Sequence, residues 1–205
     1  MEPGTPPPAL PSLESDELHA LAGLYRLLAG FLLRELDGEL LAHLQTPDVR
    51  AAYLAAGGVL PEIDDPTQLE QLAADYCQLF IGPADHLPPY ESVWRAGRFE
   101  GQAAQAMARF VEIAGGDDTF PAGVMRDHLG IQLEVMGRVL AAAADATQSR
   151  REHLELAQTF FARHLTWPAR LLDRAHRQAA TDVYRALTSL TAEFLASEQD
   201  VWLRA

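Results

Sequence analysis

Residues 15–32, SDELHALAGLYRLLAGFL, place apolar side chains at Leu18, Leu21, Tyr25, Leu28 and Leu32, the spacing of one buried stripe along an α-helix. Ser15-Asp16-Glu17 ahead of them offers an N-cap and puts acids in the first turn, where the helix macrodipole favours negative charge. The rest of the chain speaks the same language. It holds 34 Ala and 31 Leu against 9 Val and 4 Ile, so these strong helix formers outnumber the aliphatic strand formers fivefold and the fold class is all-α. Working outward, short helices are predicted over 38–45 and 48–56, the second ending at Gly57-Gly58. Asp65-Pro66-x-Gln68 supplies a cap, a proline at the first helical position and a capping-box acceptor for a helix running through Phe80, which Gly82-Pro83 stops. Residues 82–98, with three Pro, a Tyr and a Trp and no usable period, form a long connection between two helical halves. Helices over 99–114, 121–146, 150–166, 169–179 and 181–197 follow, punctuated by Gly115-Gly116, the capping box at Ser149 to Glu152, and Trp167-Pro168. No repeat of fixed period appears. The expectation is a flexible Pro-rich tail over 1–14 and one compact bundle of eight to ten helices over 15–205.

Charge removes whole classes of function. Sixteen Arg face 29 acids, giving −13, and the chain contains no Lys. A Walker A loop, a kinase strand lysine and a Schiff-base lysine are therefore all excluded. No Gly-x-Gly is present for a dinucleotide fingerprint. Strong acidity speaks against nucleic acid and for a basic partner. It is also uneven: residues 1–100 carry 5 Arg and 16 acids, residues 101–205 carry 11 and 13. The first cation is Arg26, and the charge-free apolar run Leu27–Leu33 is far short of the ~20 residues a membrane helix needs. The chain thus reads as a cytoplasmic protein without direct membrane insertion. The lone Cys77 lies in an apolar helical stretch and reads as a buried small residue. Asp16-x-x-His19 and Asp173-x-x-His176 do not make a carboxylate-bridged metal site, and no metal is expected.

Two stretches carry the interest. In ADYCQLFIGPADHLPPYESVWRAG, residues 74–97, a helix with Tyr76, Leu79 and Phe80 on one side leads into a loop stiffened by Pro88-Pro89 and furnished with Tyr90, Glu91 and Trp94. Such a loop can form a groove for an apolar peptide with Glu91 as an anchor for a cation, or it can pin itself to the core through its aromatic rings. In RDHLGIQLEVM, residues 126–136, Asp127 and Glu134 are seven apart and fall on one face of the expected helix, ready to receive guanidinium groups. His128 beside them titrates near neutral pH unless it is a satisfied core residue, and Glu134 has an alternative partner in Arg138 at i+4.

In this order, Tyr76 to Phe80 with Gly82-Pro83 behind it, PPYESVW at 88–94 and DHLGIQLE at 127–134 resemble the TorD/DmsD/NarJ family of redox-enzyme maturation chaperones, from roughly Leu18 to Leu203. The resemblance implies a cytoplasmic helical chaperone, not an enzyme, that binds the twin-arginine signal peptide on the catalytic subunit of a molybdopterin-dependent oxidoreductase of the dimethyl-sulfoxide-reductase type. It holds that client back until molybdopterin guanine dinucleotide has been inserted; the chaperone itself carries no cofactor. By position, the implied signal-peptide and client-binding residues are Tyr76, Leu79, Phe80, Pro89, Tyr90, Glu91, Trp94, Asp127 and His128, with Glu134 completing the helix motif. Asp75 stands where relatives often carry Glu. A receptor for paired arginines followed by an apolar stretch needs carboxylates beside an apolar groove, so Glu91 and Asp127 are expected to face the arginines while Leu79, Phe80, Tyr90 and Trp94 meet the apolar part. Two other classes stay in view: a small enzyme or nucleotide-binding protein using Glu91, Asp127 and His128 as acid–base groups, and a structural subunit of a redox complex. The protein is expected to be a monomer or a dimer exchanging helices across 82–98.

Overall fold

A computed structural model describes residues 10–61, 65–113, 120 and 123–203. Ten α-helices and one π-helical turn lie among the described residues. They are α1 (Ser15–Leu33), α2 (Gly38–Leu44), α3 (Pro47–Ala55), α4 (Pro66–Tyr76) continuing into the π turn Cys77–Ile81, α5 (Glu91–Ala96), α6 (Gln102–Ile113), α7 (Leu129–Asp145), α8 (Arg150–His164), α9 (Ala169–Gln178) and α10 (Asp182–Leu203). The all-α bundle expected from the composition is what the chain forms. Residues 1–9 of the expected tail, and the helix boundaries expected at 114–116 and 121, fall outside the described residues. Within 10–14, Leu10 and Leu13 pack on the core.

The stripe that opened the reading is buried as its spacing demands: Leu18, Tyr25, Leu28 and Leu32 lie inside, with Leu21 half-buried. It faces α7, the central helix, in which twelve of seventeen residues are buried. α7 packs against α1 on one side and α8 on the other, and α9 and α10 form a hairpin against α8 and α4. Two glycines let α1 and α7 approach. A Cβ on Gly130 would sit 2.6 Å from Leu33 Cγ and 3.1 Å from the Ala29 carbonyl, and one on Gly137 would sit 3.0 Å from the Ala22 carbonyl.

Three expectations need correction. The connection 82–98 contains a helix, α5, with Tyr90 as its N-cap and Gly97 closing it in the left-handed conformation (φ 70°). Its period was illegible because six residues span less than two turns. Likewise α7 starts at Leu129, eight residues later than expected, with His128 as its N-cap. Cys77, too, is exposed rather than buried. The i→i+5 bonding of the π turn, closed by Gly82 N–H donating to the Cys77 carbonyl at 2.6 Å, rotates the helix end so that Leu79 and Phe80 take the inward places.

Candidate functional site

The loop after the π turn is built by borrowing hydrogen bonds. Leu87 N–H donates to the Leu79 carbonyl at 2.6 Å, and Trp94 Nε1–H donates to the Pro88 carbonyl at 2.8 Å. Residues 89–91 then pair with 127–129 in a single antiparallel bridge centred on Tyr90 and His128. Glu91 N–H donates to the Asp127 carbonyl (3.0 Å) and Leu129 N–H to the Pro89 carbonyl (2.8 Å). Pro88-Pro89, with no N–H to offer, sits where only carbonyls are called on. The Asp127 side chain completes the junction: its Oδ2 accepts from Ser92 N–H at 2.9 Å, satisfying the first turn of α5. The loop and the segment before α7, more than thirty residues apart in sequence, are thereby one unit.

This geometry changes the expected roles. Asp127 precedes α7, so it does not share a helix face with Glu134, and its carboxylate is fully buried. Glu134 instead receives Arg138 Nε at 2.9 Å and Arg26 Nε at 3.5 Å, joining α7 to α1. Glu91 is also buried: Oε1 is 2.7 Å from Arg95 Nε, while Oε2 accepts from Gln132 Nε2 at 2.7 Å and meets His164 Nδ1 at 2.8 Å. Gln132 Oε1 in turn accepts from Trp167 Nε1–H at 2.9 Å. Glu91 is therefore the hub that fastens α5 to α7, α8 and the turn before α9. Gln132, His164 and Trp167 were not singled out from sequence. A Gln between Ile131 and Leu133 on a helix apolar all round is the one signal that could have marked a buried polar partner.

His128 does not titrate near neutrality. Its Nδ1 accepts from Gly130 N–H at 3.0 Å, and burial pushes its pKa down to about 4, so the ring is a neutral helix cap. Its ring stands edge-on to Tyr90 at 5.0 Å. Tyr76, Leu79 and Phe80 are core residues; the Tyr76 hydroxyl donates to the Leu32 carbonyl at 3.0 Å, and its ring packs on Phe80 and Tyr184. Pro89 is buried, while Tyr90 and Trp94 are half-buried. Tyr90 packs at 5.5 Å against Phe99, itself 52% exposed, and Arg174 lies over the Trp94 ring at 5.8 Å. An aromatic surface on a polar, fully buried frame is what the sequence pattern builds. Among the described residues no group of three or more His, Cys, Asp and Glu side chains is placed to hold a metal ion. No helix among them is long and apolar enough to cross a membrane.

An all-helical bundle whose most elaborately fastened loop presents aromatic rings is a binding architecture, and comparison with known proteins defines its class as redox-enzyme maturation chaperones. The family model described as nitrate reductase delta subunit matches residues 44–173, and the chain belongs to that TorD-like family. It is 31% identical over 185 residues to chaperone protein YcdY of Escherichia coli, covering 86% of this chain and 92% of that one. To chaperone protein TorD of a Shewanella strain it is 30% identical over 153 residues, covering 65% and 72%. A crystal structure described as that of a redox enzyme maturation protein from Archaeoglobus fulgidus shares the fold, with a TM-score of 0.50 at 17% identity, over 94% of this chain and 99% of that one.

Proposed function

We propose that this chaperone works in the cytoplasm, where it binds the twin-arginine signal peptide of a molybdopterin-dependent oxidoreductase and retains the client while its cofactor is inserted. The observation that carries this reading is the aromatic surface of Tyr90, Trp94 and exposed Phe99, rigidly mounted on Asp127 and Glu91. Tyr90 and Trp94 keep part of their rings at the surface, and Tyr90 packs on the exposed Phe99. Tyr90 and Trp94, with Pro89 beneath, receive the apolar stretch of the leader. Tyr76, Leu79 and Phe80 act from inside as the packed support of the loop. Asp127 and His128 position Tyr90 and α5 and do not contact the leader first. Asp127 Oδ1 has no hydrogen-bond partner among the described residues, so it is the carboxylate oxygen free to accept a leader guanidinium that works its way beneath the loop. Glu134 joins the site by exchanging Arg26 or Arg138 for a leader arginine.

Titration calorimetry of the full chain with a synthetic peptide carrying paired arginines ahead of an apolar stretch tests the reading. Trp94→Ala is expected to weaken binding by about 2 kcal/mol, as truncation of a central aromatic anchor does. A peptide with the arginines replaced by glutamines should bind more weakly still. Unchanged affinity of Trp94→Ala would remove the loop from the site.

A further inference from the structure

Beside the loop, α5, α6 and the end of α8 enclose a cleft of about 550 Å³ whose lining carries three arginines against two glutamates. Arg95, Arg98 and Arg163 line it, in a chain whose net charge is −13. Arg95 is committed to Glu91 and to the Arg163 carbonyl. The side chains of Arg98 and Arg163 are exposed and have no partner among the described residues; of the two carboxylates on the lining, Glu91 is already engaged by Arg95, Gln132 and His164, and Glu100 opposes the two free arginines. The first turn of the twelve-residue helix α6 also opens here. Gly101, Gln102 and Ala103 line the cleft, and no earlier turn of helix precedes them to accept the N–H groups of residues 102 to 104. The floor is smooth and apolar, made of Ala96, Ala103, Ala106 and Ala162.

Two buried polar side chains at this place are left unsatisfied. Ser92 and His164 both line the cleft, and each is only 2% exposed. Neither Ser92 Oγ nor His164 Nε2 has a hydrogen-bond partner among the described residues. Buried polar atoms are seldom left so, because each one forfeits its hydration unless a ligand or water completes it. His164 Nδ1–H donates to Glu91 Oε2, which leaves Nε2 as the ring's free position, an acceptor in the neutral ring that suits a hydroxyl of a phosphate.

We propose that this cleft binds the phosphate group of a small organic phosphate, seated on Arg98, Arg163 and the amides that open α6, with His164 and Ser92 closing the contact from below. Paired guanidinium forks and a helix N-terminus match a tetrahedral oxyanion, and the alanine floor accommodates the ester's apolar body. Tyr90, Trp94 and Asp127 do not line the cleft, and its rim repels a leader with paired arginines, so the site stands apart from the proposed peptide surface.

Calorimetry with inorganic phosphate, phenyl phosphate and citrate on the full chain tests the assignment. Phenyl phosphate is expected to bind about tenfold tighter than phosphate, the ring covering the floor. Replacing both rim arginines, Arg98→Gln with Arg163→Gln, should weaken both by about tenfold or more while the melting temperature and the affinity for the leader peptide stay as they were. Absence of binding at millimolar phenyl phosphate, or undiminished affinity in the double variant, overturns the site. Equal affinity for phosphate and phenyl phosphate overturns the organic ligand, and citrate binding as tightly as phenyl phosphate overturns phosphate chemistry in favour of carboxylates.

Discussion

Asp75 shows how much one side chain can organise at a distance. It is buried at the end of α4, where its Oδ1 accepts from Ala180 N–H (3.0 Å) and its Oδ2 from Thr181 N–H (2.8 Å) and the Thr181 hydroxyl (2.6 Å). Thr181 Oγ1 accepts from Tyr184 N–H at 3.3 Å, so Asp75 holds the residue that caps α10. Asp75→Ala leaves buried donors empty and is expected to lower stability by about 2–3 kcal/mol, measured by urea unfolding, with Asp75→Asn recovering part of the loss. His128 makes a second prediction at this scale. Its folded pKa of about 4 lies below the usual 6.5. Between these values the unfolded chain binds the extra proton, so stability rises with pH across that window and falls as pH drops from 6.5 towards 4. At about 1.4 kcal/mol per unit the span amounts to roughly 3 kcal/mol. His128→Asn, a capping residue that does not titrate, should flatten this part of the stability–pH curve; an unchanged slope would show that other groups set it.

Helices are joined by two contrasting devices. Between α1 and α7 it is close approach at Gly130 and Gly137, where an added methyl meets backbone carbonyls that cannot swing away. Gly130→Ala and Gly137→Ala are each expected to cost about 1–3 kcal/mol, as overpacking does, despite the better helix propensity of Ala. Between α1 and α10 it is a buried carboxylate: Glu198 Oε2 accepts from Tyr25 O–H and Trp202 Nε1–H, each at 2.9 Å. Burial raises the Glu198 pKa, so its folded form holds its proton to higher pH than the unfolded chain does, and stability declines as pH rises through that interval. Glu198→Gln keeps an oxygen for both donors and removes the charge. At pH 7 it should unfold at the same or higher denaturant concentration, whereas Glu198→Ala, which strands both donors, should fall by about 2 kcal/mol or more.

Across the whole molecule, acidity is concentrated in residues 1–100, and it would steer the leader with paired arginines that is proposed as the ligand. Steering by such a field is screened over a Debye length of about 8 Å at physiological salt, so the association rate of the leader peptide should fall steeply with added salt while dissociation changes little. Stopped-flow fluorescence of Trp94 reads both rates. The composition, the caps and the apolar period of residues 15–32 were enough to fix an all-α bundle, because helix propensity and a repeating stripe are local properties summed along the chain. The motifs at 88–94 and 127–134, singled out separately in the sequence, are the two segments that the fold hydrogen-bonds together. What the side chains do there was beyond local reading. Whether Glu91 offers its carboxylate to a ligand or spends it on Arg95, Gln132 and His164 depends on residues 4, 41 and 73 positions away. Burial, likewise, turned His128 from a titrating group into a neutral cap. Sequence alone determined the all-α class and most of the helices. Only the tertiary structure decided which polar groups are consumed in holding the loop and which are left open, because hydrogen-bond satisfaction and desolvation are set by neighbours in space.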